Sequence, residues 1–417
     1  MFFCVICVLN YFWDSLFLLF LQAMREISGK YYSIFCKYLQ NAVPFVAYRL
    51  PETAEICVFV ADSVERFIFS GQENIFLQEG FLVVPFDNEN RVAYWLKNVS
   101  ASLSDRTREE ASSSVAERSR SAKTDYFSNF NKIHSAIKKG EISKAVLSHR
   151  HEIENISAET AVACFLYLCK EKSSSYNYLL HLPEVGVWVG SSPELFLKKD
   201  EQMIETVSLA GTVVSPNPSE GGGLLAHPTS PLSGGLGRAF SIKEIKEQEI
   251  VSDYVSEVLA EFGVKNPAQN DSIGVSGNIA HLKTSFRFPK AELKGSFGNL
   301  VEALHPTPAV CGYPKMKSKQ LILSTETHNA STSLSNHRSL YSGFLGKVES
   351  DGQCALFVNI RCVQFIDNKA IVYAGAGITD KSDAQSEWNE TELKLDNILI
   401  STKLYEFSRT SCNSFHS

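Results

Sequence analysis

The part of the chain that most restricts its folding begins near residue 144. There KAVLSHRHEI, SYNYLLHL and VGVWVGSS follow one another with short interruptions. Each alternates apolar and polar residues or runs apolar, and each is rich in β-branched and aromatic side chains, so each reads as a strand. Upstream, VAYRLPE, EICVFVAD and EGFLVVPFD read the same way. Helical periodicity is predicted over residues 126–139 and 296–304, from about 241, and finally from about 383, where two strands precede the helix. Strands and helices alternate irregularly and no internal repeat is present. The expected class is therefore α+β, built around large mixed or antiparallel sheets.

Composition narrows the functional classes. The 417 residues suffice for one large domain or two to three ordinary ones, and 44% apolar with 21% charged residues is the balance of a soluble globular protein. A net charge of -6 with no basic stripe argues against nucleic acid as a partner. Ten scattered cysteines suit reduced thiols in a cytoplasm better than a disulfide framework. The CxxC of Cys4 and Cys7 has no second pair to complete a zinc site.

Five stretches are expected along the chain. Residues 1–23 are apolar but interrupted by Asn10, Trp13, Asp14 and Ser15. Two readings stay open there: translated upstream sequence before a natural start at Met24, which is preferred, or a weak membrane anchor. Residues 24–99 form the N-terminal part of the α/β domain. Residues 100–123, rich in Ser, Arg and Glu, make a linker or disordered loop. Residues 124–408 carry the catalytic region, and 409–417 a tail. Within the fourth stretch, the Gly/Pro/Ser-rich run 215–237 is long for a compact domain, which suggests an insertion or a mobile lid.

Several polar residues extend apolar faces. In SIKEIKEQEIVSDYVSEVLAEF the stripe Val251, Tyr254, Val255, Val258 and Phe262 continues backwards onto Glu247 and Glu244. In SEWNETELKLDNIL, Glu387, Glu390 and Lys394 share one face. Two acidic helix starts could hold a hard cation such as Mg²⁺; they equally suit the helix dipole or a solvated face, and both readings stand. Arg361, in ALFVNIRCVQF, is expected on a strand face with Phe357, Val363 and Phe365, an expensive place for a guanidinium without a carboxylate partner. The next strand ends in YAGAGITD, where Gly375 and Gly377 would let backbone N–H groups approach an anion.

In this order, KAVLSHR, GSSPELF, SLAGT, KEIKEQEIV, LHPTPAVCGYPK, YSGFLG, ALFVNIRCV and YAGAGITDKSDAQSEWNETELK resemble the motifs of the chorismate-utilising enzymes, over about residues 143–399. Within that family the lysine of KAVLSHR and the form of LHPTPAVCGYPK resemble the water-using isochorismate synthases. The resemblance implies one large α+β fold with two sub-domains of mainly antiparallel sheet, helices outside and the site between them. It implies a Mg²⁺-dependent isomerase that converts chorismate to isochorismate, by water attack at C2 with loss of the C4 hydroxyl. The product would feed menaquinone, siderophore or salicylate biosynthesis. By the same resemblance Lys144 is the general base and Glu194 the acid. Glu247 and Glu390 would bind Mg²⁺, with Glu244 and Glu387 supporting its waters. Arg361, Tyr341, Lys394 and the backbone of Gly375 and Gly377 would hold the enolpyruvyl carboxylate. Gly211, Thr212 and His305 would line the ring; a satisfied core histidine is the alternative for His305.

The sequence departs from the family at Gln248, where a histidine is usual, and at His149, where an arginine is usual. Salicylate synthase and a non-catalytic chorismate-binding relative are the competing readings. The expected partner is the small-molecule substrate alone, with no nucleic acid and no stable membrane association, in a monomer or weak dimer.

Overall fold

A computed structural model describes residues 30–98, 121–214, 240–276, 279–326, 338–404 and 406. The apolar segment 1–23, nearly all of the expected linker, the 215–237 loop and the C-terminal tail lie outside the described residues. Among the described residues no helix is long and apolar enough to cross a membrane, and all seven described cysteines are free.

The elements, in chain order, are α1 (30–40), β1 (Phe45–Arg49), β2 (Cys57–Val60), β3 (Ser63–Phe67), β4 (Gly80–Val84), β5 (Ala93–Lys97), α2 (Ser121–Lys138), β6 (Lys144–Glu154), α3 (Glu159–Glu171), β7 (Tyr176–Leu182), β8 (Gly186–Ser192), β9 (Leu195–Lys199) and β10 (Met203–Val214). They continue with α4 (Ile242–Glu261), β11 (Ala268–Ser276), β12 (Ile279–Pro289), α5 (Phe297–Leu304), β13 (Gly312–Tyr313), α6 (Lys315–Glu326), β14 (Phe344–Val348), β15 (Cys354–Val358), β16 (Cys362–Ile366), β17 (Lys369–Ile378) and α7 (Ala384–Thr402). The strands form an eight-stranded sheet, ordered β13-β6-β17-β16-β8-β7-β1-β2, and a nine-stranded sheet, ordered β11-β12-β10-β9-β15-β14-β4-β5-β3. The expected α+β class with mainly antiparallel sheets is observed.

Alternation along single strands explains the layering. In β1, Phe45 and Ala47 join a core with α3 and α7, while Val46 and Tyr48 face a second core between the sheets. In β4, Phe81 and Val83 enter that same inter-sheet core, and Leu82 and Val84 pack towards α4 and α5. Both faces of each strand are apolar because both are covered. The inter-sheet core is aromatic, with Tyr176 stacked on Phe357 at 4.1 Å and Trp188 on Tyr373 at 5.5 Å. Helices therefore lie outside two face-to-face sheets.

Local signals set the helix starts. Ser241 caps α4 through a capping box with Glu244, Ser296 accepts from Asn299 N–H at the head of α5, and Asp383 accepts from Ser386 N–H at the head of α7. One sequence expectation is corrected here. ALFVNIRCVQF is not one strand: β15 ends at Val358, β16 starts at Cys362, and Arg361 between them has φ +52°. The chain passes from the nine-stranded to the eight-stranded sheet at this bend.

Candidate active site

Two crossings between the sheets lie side by side. The chain leaves β8 and enters β9 through Glu194, and leaves β15 for β16 through Arg361. Ser191 N–H donates to Arg361 O (3.2 Å) and Val358 N–H to Glu194 O (3.1 Å), so each crossing braces the other. Both side chains line one pocket that encloses about 1030 Å³, its open mouth included, with Gly211, Thr212, Glu247, His281, Tyr341, Gly375, Gly377 and Lys394.

Glu194 is 2% exposed, and its Oε1 has no hydrogen-bond partner among the described residues. Burial pushes its pKa up to about 8, against the pull of Lys144 and Arg361. Lys144, the first residue of β6, is wholly buried. Its carbonyl accepts from Ser318 Oγ (3.0 Å), and β13 pairs with it through Tyr313, next to Gly312, where a Cβ would stand 2.2 Å from Lys144 O. Its Nζ lies 3.0 Å from Glu247 Oε1, at an angle that leaves the nitrogen without a well-directed hydrogen bond. The pair reaches the pocket wall at Gly377, where a Cβ would stand 2.1 Å from Glu247 Oε1 and 3.2 Å from Lys144 Cε. A glycine is needed there for space. Burial opposes ionisation of Glu247, but Lys144 and then Lys243 outweigh it and hold the carboxyl below its usual range.

On the opposite wall, β10 bulges at Gly211, between Ala210 and Thr212 in its pairing with β12. Gly211 has φ +67°, and a Cβ would stand 2.7 Å from Glu244 O, so only glycine lets α4 approach β10 this closely. Beyond the bulge Thr212 pairs in register with His281. Arg361 Nη2 donates to His281 Nε2 at 2.7 Å. Arginine has only donors, so Nε2 accepts and Nδ1–H faces Thr212 Oγ1 at 3.3 Å. Burial, with Arg361 and Lys394 nearby, keeps His281 neutral, well below its ordinary pKa. Burial pushes Arg361 down to about 10, partly offset by Glu194, which still leaves it charged at neutral pH.

Because β16 leaves β17 at Val363↔Val372, the following part of β17 is paired only with β6. Lys394 on α7 donates to Gly375 O (2.8 Å) and pairs with Glu390 (2.7 Å). A Cβ on Gly375 would stand 2.9 Å from the Tyr341 hydroxyl.

Five expected site residues are not in the pocket lining: Lys144, Glu387 and Glu390 stand behind it through their contacts with Glu247, Lys243 and Lys394, and His305 and Glu244 are engaged elsewhere. His305 is not in the pocket lining: its Nε2 donates to Pro85 O (3.0 Å), its ring packs edge-on against Phe344 at 4.9 Å, and burial lowers its pKa to about 3. Its motif reaches the pocket through Ala309 and Val310 instead. Glu244 turns back on its own helix start and accepts from Ser241 N–H (2.8 Å) and from the Ser241 hydroxyl. His281 went unnoticed in the sequence, since NIAHLKTSF reads as an ordinary strand; only its register with Thr212 reveals it. At the two departures from the family, Gln248 Nε2 donates to Ser208 Oγ (2.9 Å) and Thr284 Oγ1 (3.1 Å), and His149 packs on Trp388 at 4.4 Å.

A hard cation can be tested against the acids on α4 and α7. Glu387 is 1% exposed, Lys243 Nζ lies 2.5 Å from its Oε1, and its Oε2 has no partner among the described residues. Burial and the charge of Glu390 push its pKa up to about 7, against Lys243. Glu247, Glu387 and Glu390 each have a lysine within 3.0 Å, and the oxygen of Glu387 left without a hydrogen bond is the free donor among them. Among the described residues no three acids, histidines or cysteines are gathered into a ready cage. Mg²⁺ takes one or two carboxylates and completes its shell with water and an anionic substrate. Glu247 and Glu390 fit as those carboxylates, with Glu387 beside them.

The family described as chorismate binding enzyme matches residues 68–402. The chain belongs to that family. Isochorismate synthase EntC of Escherichia coli (strain K12) is 30% identical over 262 residues, a stretch spanning 62% of each chain. Isochorismate synthase DhbC of Bacillus subtilis (strain 168) is 25% identical over 283 residues, 66% of this chain and 67% of that one. The chain thus matches about two thirds of the length of these relatives. Among solved structures, MenF, the menaquinone-specific isochorismate synthase from Escherichia coli, shares the fold with a TM-score of 0.65 at 20% identity, over 86% of this chain and 89% of that one.

Proposed function

We propose that this chain is an isochorismate synthase, an isomerase that adds water at C2 of chorismate while the C4 hydroxyl leaves. The observation that carries the reading is a buried carboxylic acid that keeps its proton to about pH 8, set in the same pocket as Arg361 and within the field of Lys144. A departing hydroxyl must be protonated, and a group neutral at physiological pH can donate that proton. Glu194 gives its proton to the C4 oxygen, which leaves as water. Lys144, as the base, takes a proton from the water that bonds to C2, and both ring double bonds shift by one position as the C4 oxygen leaves. One water enters and one departs, so the formula is unchanged.

Arg361 holds the enolpyruvyl carboxylate, with His281 fixing the guanidinium from behind and Tyr341 bounding that end. Thr212, beyond the Gly211 bulge, lies along the ring. Mg²⁺ held by Glu247 and Glu390 would supply positive charge for the ring carboxylate. The isochorismate synthase names of the matched relatives support the reading. A cytoplasmic location and a monomer or weak dimer accord with it.

Purified protein given chorismate and Mg²⁺ should make isochorismate, reversibly and without an amine, as followed by chromatography. Salicylate with pyruvate as the main enzymatic products would make it a salicylate synthase. Ammonia-dependent amination would overturn the water-using assignment.

A further inference from the structure

The pocket lining also takes in Lys172, Ser191, Asn397 and Ser401, of which Lys172 and Ser191 lie beside Arg361, and this mechanism leaves them unused. Lys172 is held there by its backbone. It caps the C-terminus of α3, with its N–H on Leu168 O (2.8 Å). Its carbonyl accepts from Asn177 Nδ2 (2.8 Å) and from the Arg49 guanidinium. The side chain projects from this fixed point to the same wall as Arg361.

Charge here is unbalanced. Lys144, Lys243 and Lys394 each face a glutamate within 3.0 Å. Among the described residues neither Lys172 nor Arg361 has a carboxylate ion-pair partner, and the side-chain hydrogen bond of Arg361 goes to a neutral histidine. Burial lowers the pKa of Lys172, and the nearby Arg361 lowers it further, against the smaller opposing pull of the adjacent Glu171. The neutral neighbours do little to relieve this: Asn397 Nδ2 donates to Leu393 O (2.9 Å), and Ser401 Oγ to Ile398 O (3.2 Å). Two cations lining one cavity, neither of them ion-paired to a carboxylate among the described residues, form a seat for a carboxylate, and charge-assisted hydrogen bonds from both would bind it more strongly than either alone.

We infer that Lys172 is a substrate-binding residue, which joins Arg361 in gripping the side-chain carboxylate of the substrate in the pocket that both line. This rests on the chorismate reading above. Lys172 adds affinity and orientation and moves no proton, so its loss should fall on binding.

The test compares wild type, Lys172→Met and Lys172→Arg in Mg²⁺ buffer. Steady-state turnover is measured beside equilibrium dialysis with chorismate, which counts bound ligand whichever isomer it is. Lys172→Met should weaken binding and raise KM by about 10- to 100-fold, as expected for losing a charge-assisted hydrogen bond, with kcat within about threefold. Lys172→Arg should stay near wild type in both, and both variants should melt close to wild type because the anchoring contacts are backbone. Binding by Lys172→Met within twofold of wild type would overturn the inference. So would equal losses in the Met and Arg variants with lowered melting temperatures, which mark a structural lysine. A wild type that binds chorismate but makes no isochorismate would sink the catalytic reading, while the Met-to-wild-type affinity ratio still decides the role of Lys172. A wild type that binds no chorismate overturns both.

Discussion

Glu194 and Lys144 carry the proposed chemistry, and their environments set what each variant should do. Glu194→Gln keeps the shape of the buried side chain but cannot donate a proton, so kcat should drop by about 10²- to 10⁴-fold. Lys144→Ala should cost a similar factor; activity within about threefold of wild type would remove it as the base. The pH dependence follows from the raised pKa of Glu194. Its acid form dominates below about 8, so kcat should fall as pH rises through that value. The same shift acts on stability. The folded pKa lies above the ordinary 4.5, so the folded chain binds more protons between the two values. This contribution is complete below 4.5 and lost as pH rises through about 8. Glu194→Gln should flatten that part of the stability profile, as measured by urea unfolding across pH. Arg361 illustrates what sequence can convey at this scale. Its misfit on an apolar strand face flagged it as special, yet its left-handed bend between two sheets is invisible in ALFVNIRCVQF, which reads as unbroken β.

Two glycines connect single residues to the elements they join. Gly377→Ala would drive a Cβ to 2.1 Å from Glu247 Oε1, and the Glu247 carboxylate would have to move from its place beside Lys144. It should cost at least about 10-fold in kcat/KM through misplaced catalytic and metal-binding groups, a loss of the size seen when supporting contacts of metal ligands are removed. Circular dichroism should still report the native fold. Gly211→Ala adds a side chain at φ +67° and 2.7 Å from Glu244 O. It should destabilise the protein by about 1 kcal/mol or more, measured as a lower urea midpoint. At this scale the sequence was informative where periodicity or caps were strong. The helices from 241, 296 and 383 start within a residue or so of the positions expected from their patterns and caps. By contrast, α3 and α6 were passed over. Apolar periodicity is weak in KMKSKQLILSTE, whose buried residues include Ser318, Lys319, Thr325 and Glu326. Glu326 is buried because Arg338, outside the helix and 12 residues on, pairs with it at 2.8 Å, a compensation that the helical pattern itself does not convey.

At the scale of the whole molecule, the proposed Mg²⁺ ligands come from opposite layers. Glu247 lies on α4, against the nine-stranded sheet, and Glu390 on α7, against the eight-stranded one. Mg²⁺ with substrate should therefore tie the two halves together and raise the melting temperature, since a ligand that binds only the folded state stabilises it by mass action. Glu390→Gln should abolish that rise and cut kcat/KM at low Mg²⁺ by about 10-fold or more; unchanged activity at low Mg²⁺ would refute the metal site. The two-sheet arrangement came from the family resemblance rather than from periodicity, because pairings such as β9 with β15 and β1 with β7 join strands far apart in sequence. The central claim is that water supplies the new hydroxyl. Chorismate turned over in water labelled with heavy oxygen, with the product read by mass spectrometry at early times, should give isochorismate with one labelled oxygen at C2. Unlabelled isochorismate would mean that the hydroxyl migrates within the substrate, and would contradict the account.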